Sequence, residues 1–440
     1  MLKKGCAAQM FHDNTLMDLL RAEVKPALGC TGPVLMAFAA AVSRNAVGGK
    51  PLRARILLDK DTYIKNCAVG IPGIDARGIP IAAALGLIAG DASAGMEVLR
   101  DVKPEDAARA KEFLPRIAVD IKWDFKGIGL YVETWVETDR GLGHSLVAKT
   151  HTQVVFTEVN GKLVSGEYPA DFTEVVDHSG DAVRRYTVRD FFAFASARPM
   201  EDLAFLREAI AMNTALAEHG LKTGAGENFG NFLLQVPFAT PVQKAKSLAA
   251  AAADARMAGE VLPAMSCATS GNVGITASLP LISMARDLRL SEETLLRALA
   301  FSFLLTIQIK SYIGRYSAFC ACAIAASIGI AGGMVLLLGG NARQSGDAIR
   351  NIIGSTLGVL CDGAKHGCAL KLSTGAGAAI ESAYLAMSGA AIRANDGFVC
   401  EDVDDTIRLM GRMAHEGEAE ADKMMCRLIF ERDTGIRAGA

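Results

Sequence analysis

The spacing of hydrophobic positions divides the chain into a mixed first part and a second part that is almost all helix. In the first part, short apolar runs predict strands over 53–59 and 63–71, and three alternating runs predict an antiparallel sheet within 115–166. The pair Asn160–Gly161 is typical of a two-residue hairpin turn. Helical spacing covers Met10 to Asn45, with a break at KPALGCTGP, and returns in PIAAALGLIAG and PEDAARAKEFL.

From about Val188 the pattern becomes helical, with proline or glycine at the ends of the segments. The polar stretch over 170–187 separates the two patterns. The sequence therefore predicts an α+β fold of two domains. Residues 1–180 form an N-terminal region with helices and a small antiparallel sheet, and residues 181–440 form a mostly helical domain of packed, Ala/Gly-rich helices.

Composition and charge argue against a protein that binds nucleic acid or membranes and against a secreted protein. Only 21% of the residues are charged and the formal net charge is -2, so the chain has no electrostatic field for nucleic acid or an anionic membrane. The N-terminal MLKKGCAAQMFHDN lacks the apolar run of a secretory signal. The cysteines lie in apolar or glycine-rich runs, which favours a reducing cytoplasm over a disulfide framework. The density of small residues is compatible with a homo-oligomer.

One segment, residues 318–340, is apolar enough and long enough to span a bilayer. It is rich in alanine and glycine, charged residues flank it, and the chain has no second span of similar quality. We therefore interpret it as a buried central helix and expect no membrane association.

Three cysteines lie in segments made mainly of glycine, alanine and serine: Cys30 in EVKPALGCT, Cys320 in GRYSAFCACA and Cys361 in LCDGAKHGCALK. Small neighbours leave room for a large group beside each sulfur. Ligands this far apart meet only if the fold brings distant loops together, which is more typical of a catalytic iron–sulfur cluster than of a structural zinc site. Three thiolates on a four-iron cluster would leave one iron open as a Lewis acid. The alternative is that these cysteines pack as small hydrophobic residues.

Cys322 and Cys368 are the nearest competitors for these roles. On a helix, Cys322 would point to a different face from Cys320, two residues before it. Cys368 follows Cys361 by about two helical turns, which suits a supporting role. The other cysteines are interpreted as structural.

Several polar residues are candidates for the substrate site. Ser270, Gly271 and Asn272 form a small polar patch in MSCATSGNVGITASLP that suits a carboxylate, with a plain interhelical loop as the alternative. The pair Lys65–Asn66 lies between two apolar halves of a predicted strand. Its lysine could neutralise a carboxylate or act as a base, or could be an edge-strand residue that reaches solvent.

His151 is the best candidate for a general base among the histidines, because it opens a predicted strand beside small polar residues. A structural histidine is the alternative. Arg315 precedes Cys320 and could bind a carboxylate or could be the solvated end of a helix. Thr31, which directly follows Cys30, is included among the substrate-binding candidates.

The segments EVKPALGCT, PAMSCATSGNVGI, GRYSAFC, AASIGIAGGM and CDGAKHGCALK resemble motifs of the L-cysteine desulfidase family of anaerobic prokaryotes. That family is related to the α-domain of iron–sulfur L-serine dehydratases. The resemblance covers roughly residues 12–432. It implies a [4Fe–4S] enzyme that splits L-cysteine into sulfide, pyruvate and ammonia, and it places the three cluster ligands on Cys30, Cys320 and Cys361.

The chain departs from the family motifs at three places. The family usually reads GCTEP where this chain has Gly32, SGNQGI where it has Val273, and HTN where it has His151–Thr152–Gln153. Gly32 and Val273 each remove a polar group from the expected pocket. They leave the cluster ligands unchanged, so they bear on the substrate more than on the chemistry.

The sequence therefore predicts a carbon–sulfur lyase that binds a small amino acid. Its cofactor would be an oxygen-sensitive [4Fe–4S] cluster with one open iron, and no Walker motif or dinucleotide-binding fingerprint suggests a nucleotide, nor does the chain suggest PLP. Two alternatives remain open. One is the same elimination on another β-substituted amino acid such as serine, and the other is a non-catalytic cluster-binding homologue.

Overall fold

The computed structural model describes residues 14–28, 31–125, 130–169, 180–314, 317–394 and 396–436, with the backbone alone at positions 28 and 31. The chain combines a six-stranded sheet with a large helical core, so the predicted α+β class is confirmed. The strands are β1 (Val24–Leu28), β2 (Pro51–Asp59), β3 (Gly70–Ile71), β4 (Ile74–Arg77), β5 (Ile117–Lys122), β6 (Tyr131–Thr138), β7 (Gly141–Ala148), β8 (Val154–Val159), β9 (Lys162–Gly166) and β10 (Pro263–Cys267).

In the sequence, α-helices of the described residues come before, between and after the strands of this sheet. The first five are α1 (Thr15–Glu23), α2 (Thr31–Val47), α3 (Lys60–Asn66), α4 (Ile79–Ile88) and α5 (Pro104–Phe113). The remainder are α6 (Val188–Ala197), α7 (Met200–Leu203), α8 (Leu206–Thr223), α9 (Phe229–Phe232), α10 (Pro241–Ala258), α11 (Gly271–Asp287), α12 (Glu292–Ile313), α13 (Ala325–Leu337), α14 (Ala342–Thr356), α15 (Cys368–Met387), α16 (Val403–Arg412) and α17 (Ala419–Thr434).

The large sheet has the strand order β5–β2–β6–β7–β8–β9. Its neighbours are antiparallel except for β2 and β5, which run parallel, so the predicted antiparallel sheet is wrong at that pair. Parallel pairing is possible there because α5 lies in the long connection between those two strands. The hairpin at Asn160–Gly161 is confirmed, with φ of 51° and 78° at the two turn residues.

Helix α2 covers one face of the sheet. Its Ser43 Oγ lies 2.7 Å from Thr134 Oγ1 on β6 and 2.6 Å from Ser145 Oγ on β7, so a buried hydroxyl cluster ties the helix to two strands. The apolar residues between sheet and helix, such as Val132 and Val136, are fully buried. Because Ser43 lies near the C-terminal end of α2, the N-terminal end of the helix extends toward the other end of the strands.

The predicted strand over 63–71 is wrong, because residues 60–66 form helix α3. Asp59 ends β2 and caps this helix, its side chain accepting a hydrogen bond from the Thr62 backbone N–H at 2.8 Å. Tyr63 and Ile64 are buried, which gave the segment the apolar appearance of a strand. Only Gly70–Ile71 at the end of the predicted run is extended.

The helical core is built from closely packed, small residues, with α12 and α13 at its centre. A Cβ atom on Gly329 of α13 would lie 2.5 Å from the Ser302 carbonyl oxygen of α12. Every residue of α13 is buried, so the predicted buried helix is confirmed over Ala325–Leu337, whereas the start of the predicted segment is not helical and residues 321–324 form a turn. Among the described helices, α12 alone is long and apolar enough to cross a membrane, and 78% of that apolar stretch is buried inside the protein.

Segments near both ends of the described chain pack against elements that are distant in the sequence. Strand β1, which the sequence reading placed in a broken helix, pairs antiparallel with β10 from Val24↔Cys267 to Leu28↔Pro263. Pro26 lacks a backbone N–H, and such a residue is tolerated in a short ladder of this kind. Helix α17 packs against α3, where the Tyr63 and Phe430 rings lie 5.5 Å apart. The domain boundary near residue 180 stays a prediction.

Candidate functional site

Two cysteines from distant segments lie side by side in the helical core. The segment after α12 and the segment after α14 form a short antiparallel bridge between Phe319 and Leu360. In this bridge the Cys361 N–H donates to the Ala318 carbonyl at 2.6 Å and the Cys320 N–H donates to the Val359 carbonyl at 2.9 Å. The two thiols lie close enough for each to shift the pKa of the other. We call Cys320 and Cys361 the cysteine pair.

Neither side chain of the cysteine pair has the exposure of a surface residue. Cys320 is 4% exposed and Cys361 is partly buried. A hydrogen bond with Cys322 raises the pKa of Cys320 to about 12, together with burial, while Cys361 acts in the opposite direction. The bond from Cys320 and burial raise the pKa of Cys361, against the lowering effect of Lys65. Metal binding at such a pair would release protons from the thiols.

Lys65 contacts the cysteine pair directly. It lies in the last turn of α3, and its Nζ donates to Cys361 Sγ at 2.9 Å. Burial lowers the pKa of Lys65, but Cys361, Asp61 and Cys320 together outweigh burial and the net shift is upward. A protonated Lys65 supplies positive charge beside the sulfur, which argues against the predicted role as a base; the predicted role of neutralising a carboxylate stays a prediction.

A second lysine next to the cysteine pair was missed by the sequence reasoning. Lys371, in the first turn of α15, donates to the Leu360 carbonyl at 2.6 Å and also bonds to Asp362 Oδ1, which accepts from Lys365 as well. Burial raises the pKa of Asp362, but the two lysines reverse this and hold it below its usual range. The motif CDGAKHGCALK contained these residues, yet its sequence gives no sign that both lysines turn back to one carboxylate.

The two competing cysteines both lie near the pair. Residues 321–324 form a turn, so the expectation that Cys322 lies on a helix with Cys320 is wrong, and Cys322 raises the pKa of Cys320. Cys368 begins α15 and its Sγ lies 3.5 Å from the Gly363 carbonyl oxygen. Cys322 and Cys368 both raise the pKa of Cys320, and the supporting role of Cys368 stays a prediction.

The third predicted ligand, Cys30, lies outside the described residues, between the end of β1 and the start of α2. The side chain of Thr31 is not described either. Gly32, two residues after Cys30, lies against the side chain of Asn66 in α3. Asn66 directly follows Lys65, which contacts Cys361. The described neighbours of Cys30 therefore adjoin the helix that reaches the cysteine pair.

The Ser270 patch begins helix α11. Ser270 caps the helix, with its Oγ accepting from the Val273 N–H at 3.4 Å. Ala268 and Thr269 before it have left-handed backbone conformations, with φ of 46° and 64°. The Asn272 carboxamide accepts from Arg256 Nη1 at 3.1 Å and contacts the Met257 sulfur.

Arg256 is a further functional candidate that the sequence reasoning missed. It is 9% exposed, and a Cβ atom on Gly271 would lie 2.7 Å from its Cζ. The glycine of the motif thus admits a guanidinium to the first turn of α11. A buried arginine beside a helix N-terminus suits a carboxylate ligand. Its segment, AAADARMAG, has the pattern of an ordinary alanine-rich helix, so the sequence gives no sign that Arg256 is functional.

His151 lies in the turn between β7 and β8 and is partly exposed, so it does not open the strand as predicted; β8 begins at Val154. At this end of the sheet, Asp59 accepts from the Tyr131 N–H at 2.9 Å, and Tyr131 pairs with Ala148 just before the turn. Helix α3 starts at the residue after Asp59, and the N-terminal end of α2 points the same way. The fold thus places the His151 turn, Lys65 and the start of α2 at one end of the sheet.

Arg315, the remaining predicted substrate residue, lies outside the described residues, directly after Gly314. Its described neighbour Lys310 donates to the Gly314 carbonyl at 3.1 Å. Arg315 stays a candidate from sequence alone.

The donor set fits an iron–sulfur cluster. Such clusters are held by cysteine thiolates, and their potentials respond to nearby charge and hydrogen bonds to sulfur. The cysteine pair supplies two neighbouring thiols, with Lys65 bonded to Cys361 and Lys371 bonded to the adjacent Leu360 carbonyl. Within the described ranges, no three His, Cys, Asp or Glu side chains are grouped so as to hold a metal ion. Cys30 would complete the set.

Comparisons with known proteins identify the family. A family model described as the serine dehydratase alpha chain matches residues 93–427. The chain belongs to the serine dehydratase alpha chain family. A relative from Clostridium tetani, a UPF0597 protein, is 33% identical over 423 residues, covering 96% of this chain and 100% of that protein. A UPF0597 protein from Aeromonas hydrophila is 36% identical over 424 residues, covering 95% and 96%.

Membership in the serine dehydratase alpha chain family points to a lyase-type enzyme of amino-acid catabolism. The family is related to iron–sulfur serine dehydratases, which suggests a cluster, in agreement with the thiols of the cysteine pair. The resemblance found in the sequence motifs is thus confirmed at the level of the family.

Proposed function

We propose that the protein is a [4Fe–4S]-dependent L-cysteine desulfidase. The observation that carries the proposal is the cysteine pair: a backbone bridge brings two distant cysteines together, and the Lys65 ammonium donates to the sulfur of Cys361. Cys30, Cys320 and Cys361 would hold the cluster. When bound, the cluster would supply a Lewis acid that stabilises the negative charge of the leaving sulfur or the substrate carboxylate.

The protein residues would bind and orient the amino acid. Arg256, Asn272 and the N-terminal end of α11 at Ser270 offer donors for the α-carboxylate. Gly271 keeps the approach open because it has no side chain. Arg315 and Thr31 belong to the same proposed substrate site. Lys65 would keep positive charge beside Cys361 throughout the reaction.

The elimination balances without an oxidant or reductant. A base removes the α-proton of L-cysteine while the Cβ–S bond breaks and the sulfur leaves with its electron pair as sulfide. The product, 2-aminoacrylate, tautomerises to an imine, which water hydrolyses to pyruvate and ammonia. His151 is the proposed base, because an imidazole titrates near neutral pH while Lys65 is held protonated.

A second candidate is the same reaction on L-serine, with water as the leaving group. The match to the serine dehydratase alpha chain model favours it. The proposal also includes a cytoplasmic location, a homo-oligomer, a small amino acid as the partner rather than nucleic acid or a membrane, and no PLP or nucleotide.

The test is anaerobic. The purified protein is reconstituted with iron and sulfide and assayed with L-cysteine and with L-serine, measuring pyruvate and sulfide. We expect visible absorbance from a four-iron cluster, and pyruvate with equimolar sulfide from L-cysteine. Cys320→Ala should lose both cluster and activity, whereas Cys400→Ala should retain both. Pyruvate from L-serine alone would favour the second candidate. A loaded cluster with neither reaction would show a non-catalytic homologue.

A further inference from the structure

The side chain of Asn66 fills the space beside the Gly32 backbone, at the start of α2. Asn66 is the last residue of α3 and is 7% exposed. Its Nδ2 donates to the Thr62 carbonyl at 2.7 Å. Because a carbonyl only accepts hydrogen bonds, this contact fixes which end of the carboxamide is nitrogen. The oxygen Oδ1 therefore points away from Thr62.

Oδ1 of Asn66 stands where a side chain at position 32 would begin. A Cβ atom built on Gly32 would collide with Oδ1 and would lie 3.0 Å from Nδ2. The backbone of Gly32 does not have a positive φ, so a left-handed conformation is not the reason for glycine here. Space is the reason: glycine at 32 admits the Asn66 carboxamide to the first turn of α2.

This arrangement changes the meaning of Gly32. From the sequence, Gly32 looked like the loss of a polar group near Cys30. In the folded chain the Asn66 oxygen fills that place. It is an uncharged acceptor, adjacent in the chain to a lysine that donates to Cys361. Within the described parts of the chain, Oδ1 accepts no hydrogen bond, so it is available to a donor.

We propose that Asn66 and Gly32 form a specificity unit in which the Asn66 oxygen accepts a hydrogen bond from the α-ammonium group of the substrate. The inference rests on the proposed function and adds the residue that recognises the amine. An α-amino acid has one strong donor, its ammonium group, and the Oδ1 atom of Asn66 is an acceptor. The carboxylate has no reason to bind there, because two acceptors repel each other.

The experiment is a double-mutant cycle on the reconstituted protein with Asn66→Ala, Gly32→Ala and the double variant. Two controls match them: Asn351→Ala, another buried asparagine that bonds to backbone carbonyls, and Gly346→Ala, a helical glycine whose added Cβ would make an ordinary contact at 3.6 Å with Val403. Iron content is measured for every variant, and kcat and KM are measured with L-cysteine.

We expect Asn66→Ala to raise KM about tenfold or more while iron content stays at the wild-type level, since a lost substrate contact weakens binding. Gly32→Ala should raise KM similarly, because it displaces the same oxygen. The double variant should be no worse than either single variant. Additive effects, or an unchanged KM in Asn66→Ala with iron retained, would overturn the proposal.

Binding separates this inference from the proposed function. If the wild-type protein turns over neither L-cysteine nor L-serine, the proposed function is wrong. Calorimetry then tests the inference by measuring the affinities for L-alanine and for propionate, which lacks the amine. A loss of affinity in Asn66→Ala for L-alanine alone supports it. Equal affinities of the wild-type protein and Asn66→Ala for L-alanine overturn it.

Discussion

At the scale of single residues, the site depends on positive charge brought to sulfur. Lys65 donates to Cys361, and Lys371 lies in the same surroundings with its ammonium on the Leu360 carbonyl. Hydrogen bonds that involve a charged group are stronger than neutral ones. The two lysines come from α3 and α15, which are about three hundred residues apart in the chain, so the charge around the sulfur depends on the tertiary fold.

Replacing Lys65 by methionine removes the charge and keeps most of the length of the side chain. We expect at least a tenfold loss of activity and a lower iron content after reconstitution, because a charge-assisted hydrogen bond contributes about 1.5–3 kcal/mol. Lys246→Met, a substitution on α10 beside Gly377, is the control and should leave both values unchanged. Full iron and full activity in Lys65→Met would show that the lysine is dispensable.

The sequence allowed the two distant cysteines to be chosen as candidates because their motifs are distinctive. It could not show Arg256 or Lys371, since both lie in helices that are rich in alanine and whose pattern is ordinary. Their importance comes from the residues they contact, Asn272 and Asp362, and these contacts exist only after the helices pack.

At the scale of elements, most helices and strands follow from local patterns, and the errors share one cause. Helix α3 looked like a strand because Tyr63 and Ile64 are buried, and its N-cap Asp59 belonged to the preceding predicted strand. Strand β1 looked like part of a helix because its partner, β10, is more than two hundred residues away. Local propensity is a weak guide where a distant partner decides the structure.

The short helix α9 shows how a buried carboxylate fixes an element. Asp254 on α10 accepts from the Gly230 N–H at 2.9 Å, and Asp254 Oδ1 is buried without a hydrogen-bond partner in the part of the chain that the structure describes. Burial raises the pKa of Asp254 from 3.8 to about 6, against the lowering effect of its backbone hydrogen bonds. A carboxyl with a raised pKa binds its proton more tightly in the folded state, so stability falls as the pH rises between these values.

Asp254→Asn should remove this part of the pH dependence. The wild-type protein should lose up to about 3 kcal/mol of stability from this group as the pH rises from about 4 to about 6, whereas the variant should not. Urea midpoints of the cluster-free protein across this range provide the measurement. Asp101→Asn, at an exposed carboxylate, is the control. A wild-type slope preserved in Asp254→Asn would contradict the assignment.

At the scale of the whole molecule, close contact between helix backbones holds the core together. Gly329 lets α13 approach α12 at Ser302, and Gly375 lets α15 approach Ala323, whose carbonyl oxygen would lie 2.9 Å from an added Cβ. These helices precede and follow the segments that carry Cys320 and Cys361. The abundance of glycine and alanine, noted from composition, therefore sets the spacing on which the cysteine pair depends.

Gly329→Val tests this spacing. The added side chain would overlap the Ser302 carbonyl and Thr306, so we expect a loss of about 1–3 kcal/mol or more in the free energy of unfolding and a lower iron content. Thermal unfolding of the cluster-free protein and iron analysis are the measurements. Gly346→Val, where the contact with Val403 is ordinary, should cost much less. Equal losses in the two variants would show that close packing at Gly329 is unimportant.

The contact between α17 and α3 has a consequence for synthesis on the ribosome. Phe430 packs on Tyr63, and the Cys426 thiol lies 3.5 Å from the Lys60 carbonyl oxygen, at the start of the helix that carries Lys65. A nascent chain that has not yet reached residue 430 cannot make these contacts. The helix that brings Lys65 to the cysteine pair therefore gains its full support only after nearly the whole described chain has been translated.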